Sequence, residues 1–150
     1  MKTNTYSYKE LSTDQLYKIL KLRAEVFIVE QNCAYQDLDN KDDKAIHLIG
    51  EINKEIVAYT RIFKKGDYFN NSSIGRVLVR KEYRKKEYGK VMMKKSIEII
   101  KLDPKEEEIE LSAQKYLTKF YTDLGFKKKG EEYLEDNIPH VKMTLKIRGY

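Results

Sequence analysis

The sequence predicts one domain over residues 1–150, of α/β (α+β) class, with helices laid on a mixed sheet. Three observations predict it. Apolar residues recur at helical spacing in residues 16–27, 88–100 and 116–124. Short apolar or alternating runs lie between and after those stretches. The chain has no linker, repeat or low-complexity segment, and 150 residues with 41% hydrophobic side chains suffice for one buried core.

Residues 5–9 read as a short opening strand. Ser12-Thr13-Asp14-Gln15 has the form of a capping box, with Ser12 closing a helix start and Gln15 reaching back. Leu16, Ile19, Leu20, Val26 and Phe27 then share one face, and this helix or helix pair ends near residues 30–33. An acidic loop covers residues 37–44. Residues 46–51 and 55–63 form an antiparallel hairpin that turns at Asn53-Lys54, and residues 70–73 turn into a strand over 74–79.

A basic turn follows, and a helix opens on Arg84 to Gly89. Tyr88, Val91, Met92, Ile99 and Ile100 lie on one side of it, with Lys90, Lys94, Lys95 and Lys101 largely on the other. Asp103-Pro104 stops it, because the residue before proline disfavours helix. A short strand covers 109–112. The third helix carries Tyr116, Leu117, Phe120, Tyr121 and Leu124 and is closed by Gly125 as a left-handed cap. The tail alternates Val141, Met143, Leu145 and Ile147 with Lys142, Thr144, Lys146 and Arg148, the pattern of a half-buried strand whose edge a second copy could pair with in a homodimer.

Charged residues make up 36% of the chain and the net charge is +6, which favours anionic partners without choosing among them. Zinc-finger spacing and an aromatic–basic RNA signature are absent, so nucleic acid is not the expected partner. No run approaches the roughly 18 apolar residues of a membrane helix. Cys33 is the only cysteine, which rules out an internal disulfide and the clustered-cysteine zinc sites. With a polar N-terminus and no secretory signal, a cytoplasmic protein without a metal is expected.

The chemistry concentrates in residues 74–90: a buried strand, a basic turn and a helix start. Unpaired N–H groups and the positive end of the helix dipole make a helix start a seat for phosphate, and Arg84, Lys85 and Lys86 stand there. The same segment also reads as a solvated basic turn before a surface helix.

Arg84-Lys85-Lys86-Glu87-Tyr88-Gly89 resembles the Arg/Gln-x-x-Gly-x-Gly/Ala acyl-coenzyme A motif of the GNAT superfamily of N-acetyltransferases. Gln114, followed by Tyr121 and Gly125-Phe126, resembles that superfamily's amide–tyrosine–Gly-Phe motif, with glutamine for the usual asparagine. Residues 22–39 and 137–143 resemble its ElaA-type branch. The likeness spans nearly the whole chain and implies a mostly antiparallel central sheet flanked by helices. It also implies acetyl-coenzyme A as acyl donor and a small-molecule or peptide amine as acceptor. Because Cys33, which could carry the acetyl group covalently, has no adjacent base in the sequence, direct attack in a ternary complex is expected.

By that resemblance the donor is bound by Arg84, Lys85, Lys86, Glu87, Tyr88, Gly89, Lys90 and Gln114, and by backbone N–H groups of Leu78 and Val79 on a strand that splays from the next. Tyr121 is then the acid for the departing thiolate; by spacing alone it reads as a core aromatic beside Phe120. Glu87 departs from the motif, since glycine there lets backbone approach a diphosphate and adds no charge. A carboxylate about 8 Å away costs roughly 0.5 kcal/mol in water-like surroundings, so weakened rather than abolished donor binding is expected.

On the acceptor side Glu30, Gln31, Asp37, Asp39 and His140 are the polar candidates. His140 could serve as base or substrate ligand, or be an ordinary exposed histidine at a turn. Glu30 ends the first helix, where a carboxylate is unfavourable, so it needs Arg23, solvent or a functional role. His47 reads as structural and Cys33 as a small buried hydrophobe. The acidic loop could attract a cationic acceptor or be merely solvated. A non-catalytic acyl-coenzyme A-binding regulatory module is the alternative to an enzyme.

Overall fold

The computed structural model describes residues 1–148, which form seven strands and three α-helices. In chain order these are β1 (Lys2–Ser7), α1 (Thr13–Arg23), a π-helical continuation (Ala24–Glu30), β2 (Ile46–Ile52), β3 (Glu55–Phe63), β4 (Ser72–Val79), α2 (Tyr88–Lys101), β5 (Glu108–Gln114), α3 (Thr118–Asp123), β6 (Lys127–Glu135) and β7 (Ile138–Lys146). The sheet order is β1-β2-β3-β4-β5-β7-β6. Only β4 and β5 are parallel.

Local chemistry explains most element ends. Ser12 caps α1 by accepting from the Gln15 N–H at 3.0 Å, while Gln15 accepts from the Ser12 N–H at 2.8 Å. The β2–β3 hairpin turns on Asn53 and Lys54, both at positive φ as a type I′ turn demands. Gly125 closes α3 at φ +101. Met92, Met93, Ile97 and Ile100 of α2 pack on Leu48, Ala58, Ile62, Ile109, Leu111 and Met143. On the opposite face, α1 lays Ile19, Leu22 and Val26 on Ile49, Tyr59 and Leu78. Val91, expected on the buried side of α2, is exposed; Ser96 is buried there instead, hydrogen-bonded to Thr60.

The opening strand lies earlier than expected, at Lys2–Ser7. The tail strand offers no pairing edge, because β7 lies between β5 and β6. The edge belongs to β6, every residue of which is exposed, so its sequence carries no apolar alternation. Three lysines and a bulge between Lys129 and Tyr133 blunt that edge against further pairing.

Three of the four aspartates of the acidic loop are turned inward, and Asp43 alone is exposed. Asp37, Asp39 and Asp42 meet Arg23, Arg61 and Arg76 in a buried, charge-balanced network. Burial works to raise the Asp42 carboxyl, but Arg23 and Arg61 outweigh it and hold it below the usual range; Arg61 does the same for Asp39. His47 is buried beside them, its Nδ1 on the Tyr59 hydroxyl at 2.6 Å and its Nε2 on the Asp42 carbonyl at 2.9 Å.

This network shapes β4. Between Tyr59 and Arg61 of β3 the β4 register slips, and Arg76 stands in the bulge at φ +49, a left-handed conformation costly for a side chain. Asp37 secures it: Arg76 Nε donates to Oδ1 at 2.7 Å and Nη2 to the Asp37 carbonyl at 3.0 Å. No residue of β4 from the bulge onward pairs with β5.

Candidate active site

β4 and β5 pair only at Ser72–Ile109 and Ser73–Glu110. Beyond those pairs the strands separate, so the end of β4 presents unpaired backbone toward β5. The Arg80 N–H donates to the Val57 carbonyl at 2.7 Å, toward β3. Alternation along the strand then directs the Leu78 N–H to β3 as well and the Val79 N–H into the gap. The Val79 carbonyl shares that direction and accepts from Arg84 Nε at 2.9 Å. Of the two amides expected to serve, Leu78 is therefore committed to the sheet, its side chain buried against α1, and Val79 faces the opening.

The helix after this strand starts later than the sequence predicts. Lys81–Tyr83 form one 3-10 turn, Lys85 and Glu87 take left-handed conformations, and α2 begins only at Tyr88. The reason is local: two left-handed residues within three positions cannot belong to a right-handed α-helix. The first intrahelical bond runs from Val91 to the Glu87 carbonyl, which leaves the N–H groups of Tyr88, Gly89 and Lys90 without helical acceptors.

Glu87 points outward, its side chain 76% exposed and 3.7 Å from Lys90 Nζ. Lys86 lies over the Tyr83 ring. A Cβ added at Gly89 would sit 3.5 Å from Phe120 and 3.8 Å from Val79, so its absence widens the gap where α2, α3 and β4 meet. Free amides, a widened cleft and an open strand edge fit a diphosphate with an extended arm.

Tyr121 is 7% exposed, between Phe120 and Phe126, each edge-on to its ring. Burial pushes its hydroxyl up. Phe120 connects it to the start of α2 through the Gly89 contact.

The acceptor-side residues come from three distant segments. Glu30 does not pair with Arg23; it forms a bidentate ion pair with Arg84, Nη1 to Oε2 at 2.8 Å and Nη2 to Oε1 at 3.0 Å. Gln114 Nε2 donates to Gln31 Oε1 at 3.2 Å. Cys33 is half-buried rather than buried, with Sγ 3.5 Å from the Asp136 carbonyl. Together these contacts draw the chain after the π-helix across the end of β5 to the β6–β7 turn.

Gln114 lies opposite His140 in register, and both stand on the sheet face opposite α2. His140 is buried, not an exposed turn residue. Its Nδ1 faces the Ile138 carbonyl at 2.7 Å, so that nitrogen carries hydrogen; Nε2 lies 3.4 Å from Glu135, and the ring stacks on Tyr133. Tyr133 hydrogen-bonds Ser112, and burial pushes its hydroxyl up. Glu135 and Tyr133 are absent from the expected site. Asp136-Asn137, a second type I′ pair at φ +50 and +64, was the signal that would have placed them across from Ile138 and His140.

A family model described as an acetyltransferase (GNAT) domain matches residues 2–147. The chain belongs to the GNAT acetyltransferase family. It is 41% identical over 142 residues to protein ElaA of Escherichia coli, covering 93% of each chain. The crystal structure of Escherichia coli ElaA superposes with a TM-score of 0.89 at 39% identity, covering 97% of this chain and 99% of that one. An acyl-CoA N-acyltransferase from Pseudomonas aeruginosa matches equally well, with a TM-score of 0.89 and 32% identity over 97% of this chain and 99% of that one. This GNAT chain is thus an acetyltransferase of ElaA-like type. No helix among its described residues is long and apolar enough to cross a membrane.

Proposed function

We propose that this acetyltransferase carries acetyl from acetyl-coenzyme A to a primary amine of a small molecule or peptide, by direct attack with both substrates bound. The observation that carries the reading is the parting of β4 from β5 after two residue pairs, with the free amides of α2 at its mouth. Coenzyme A supplies the acyl group as an activated thioester; the rest is the work of this chain's residues.

The N–H groups of Tyr88, Gly89 and Lys90, with the cations Arg84, Lys85 and Lys86, hold the diphosphate. The open edge of β4 hydrogen-bonds the extended arm as an added strand would, and the Val79 N–H donates to the carbonyl oxygen as negative charge develops on it. A lysine-like amine must first lose its proton, which costs roughly 4–5 kcal/mol at pH 7. His140 Nε2 is the acceptor of that proton, with Nδ1 anchored on the Ile138 carbonyl and Glu135 3.4 Å away to stabilise the imidazolium formed. The Tyr121 hydroxyl, kept protonated by its burial, donates to the departing thiolate.

Thiol release against polyamines, amino acids, aminoglycosides and short peptides tests the assignment. Tyr121→Phe is expected to slow turnover ten-fold or more with coenzyme A affinity unchanged; equal turnover removes Tyr121 from the mechanism. Stoichiometric acetyl-coenzyme A binding without thiol release from any amine identifies a non-catalytic binding module instead.

A further inference from the structure

We propose that Glu30 is passed from Arg84 to the acceptor when the donor binds, and that the acceptor therefore carries a second cationic nitrogen besides the one acetylated. The inference rests on the reading of the Arg84 turn as a diphosphate seat.

All three guanidinium nitrogens of Arg84 are engaged: Nε on the Val79 carbonyl, Nη1 and Nη2 on the two oxygens of Glu30. The outer edge of a guanidinium that grips one carboxylate with both nitrogens cannot grip a phosphate with the same pair. A diphosphate offers more charge and more acceptor oxygens than a single carboxylate, and the amides of Tyr88, Gly89 and Lys90 hold it close to Arg84. Arg84 therefore changes partner.

Glu30 then loses its one ion pair among the described residues. The Glu30 side chain is only 23% exposed, so water compensates it incompletely. It immediately precedes Gln31, whose bond to Gln114 places this segment at the head of the β5 row, opposite His140. The charge that the reaction brings to that place is the acceptor's ammonium.

The attacking nitrogen has to be neutral, so the nitrogen that stays charged on Glu30 must be a different one. Diamines, polyamines and amino sugars meet that requirement and simple monoamines do not. By linkage, what the donor loses in breaking the Arg84–Glu30 pair the acceptor returns, so each ligand raises affinity for the other by the same factor.

Calorimetry with coenzyme A on the wild type, Glu30→Gln, Arg84→Gln and the double variant tests the exchange. Glu30→Gln is expected to tighten coenzyme A about fivefold, which is ~1 kcal/mol at 25 °C. In the Arg84→Gln background the same change should give no more than about twofold, the residue of through-space repulsion. Weaker or unchanged binding in Glu30→Gln overturns the exchange and makes Glu30 an orienting partner of Arg84; an equal gain in both backgrounds overturns it too. Wild type that binds no coenzyme A refutes the diphosphate seat itself, and with it this inference. For the acceptor half, kcat/KM for putrescine against propylamine is expected to favour the diamine at least ten-fold in the wild type and to level in Glu30→Gln. A preference absent from the wild type, or surviving in Glu30→Gln, refutes the second-nitrogen requirement. Circular-dichroism melts within a few degrees of wild type establish that the variants fold.

Discussion

Asp37→Asn should weaken both the fold and the donor cleft. The carboxylate is buried and accepts from Arg23 Nε at 2.9 Å, Arg76 Nε at 2.7 Å and the Tyr35 hydroxyl at 3.1 Å. Asparagine keeps the shape but removes the charge, and its amide N–H₂ must face one of the two guanidinium donors. Breaking a buried ion pair from one side costs about 3–5 kcal/mol. The oxygen that remains recovers about 1 kcal/mol as an ordinary hydrogen bond. The expected loss is therefore about 3 kcal/mol, a fall in Tm of roughly 6–12 °C for a chain of this length.

Arg76 keeps its bond to the Asp37 carbonyl but loses the charged part of the anchor for a left-handed conformation that costs about 1–2 kcal/mol, so the β4 bulge loosens and coenzyme A binds several-fold more weakly. Urea unfolding followed by circular dichroism reads the first effect, and calorimetry at a temperature well below the melt reads the second. Asp43→Asn, at an exposed neighbour, is the control and should change stability by less than about 0.5 kcal/mol. A loss under 1 kcal/mol for Asp37→Asn would refute the keystone role of the network. Normal coenzyme A affinity in a destabilised variant would refute the link from network to cleft.

Glu87→Gly relieves a left-handed residue by about 1–2 kcal/mol and gives back about 0.4–1 in unfolded-chain entropy. A net gain near 0.5 kcal/mol in urea unfolding is expected, and because the side chain already points outward toward Lys90, coenzyme A should tighten only about twofold. A tightening of ten-fold or more would mean that the carboxylate faces the diphosphate. Stability should fall with acid over two pH ranges. Burial lowers the pKa of His47, so the unfolded chain takes that proton first; stability is full above about pH 6.5 and declines below it. Asp39 and Asp42 have lowered pKa values, so their contribution is present above about pH 3.9 and disappears as pH falls through the folded-state values. Urea midpoints from pH 8 to pH 3 measure both, and His47→Gln should flatten the upper step alone; a wild-type midpoint constant from pH 7 to pH 5 would contradict this assignment.

The parts of the fold legible in the sequence are those with a local cause. The Ser12-Thr13-Asp14-Gln15 cap, the Asn53-Lys54 turn, Gly125 and the helical apolar faces each involve residues within a few positions of one another. β6 was not legible because neither of its faces is covered, so burial leaves no pattern on it. The start of α2 lies later than the sequence pattern predicts because the reversals at Lys85 and Glu87 carry side chains where glycine is the usual marker.

The sequence by itself determined that a basic turn follows a buried strand and precedes an amphipathic helix, and that its motifs are those of an acetyl-transferring family. Only the tertiary structure decided that β4 leaves β5, that Val79 rather than Leu78 faces the gap, and that Arg84 is held by Glu30, 54 residues away. The physical reason is range. Capping and periodicity act through the chain's own geometry over one or two turns, whereas the bulge at Arg76 and the Arg84–Glu30 pair exist only once packing has brought remote charges within hydrogen-bonding distance.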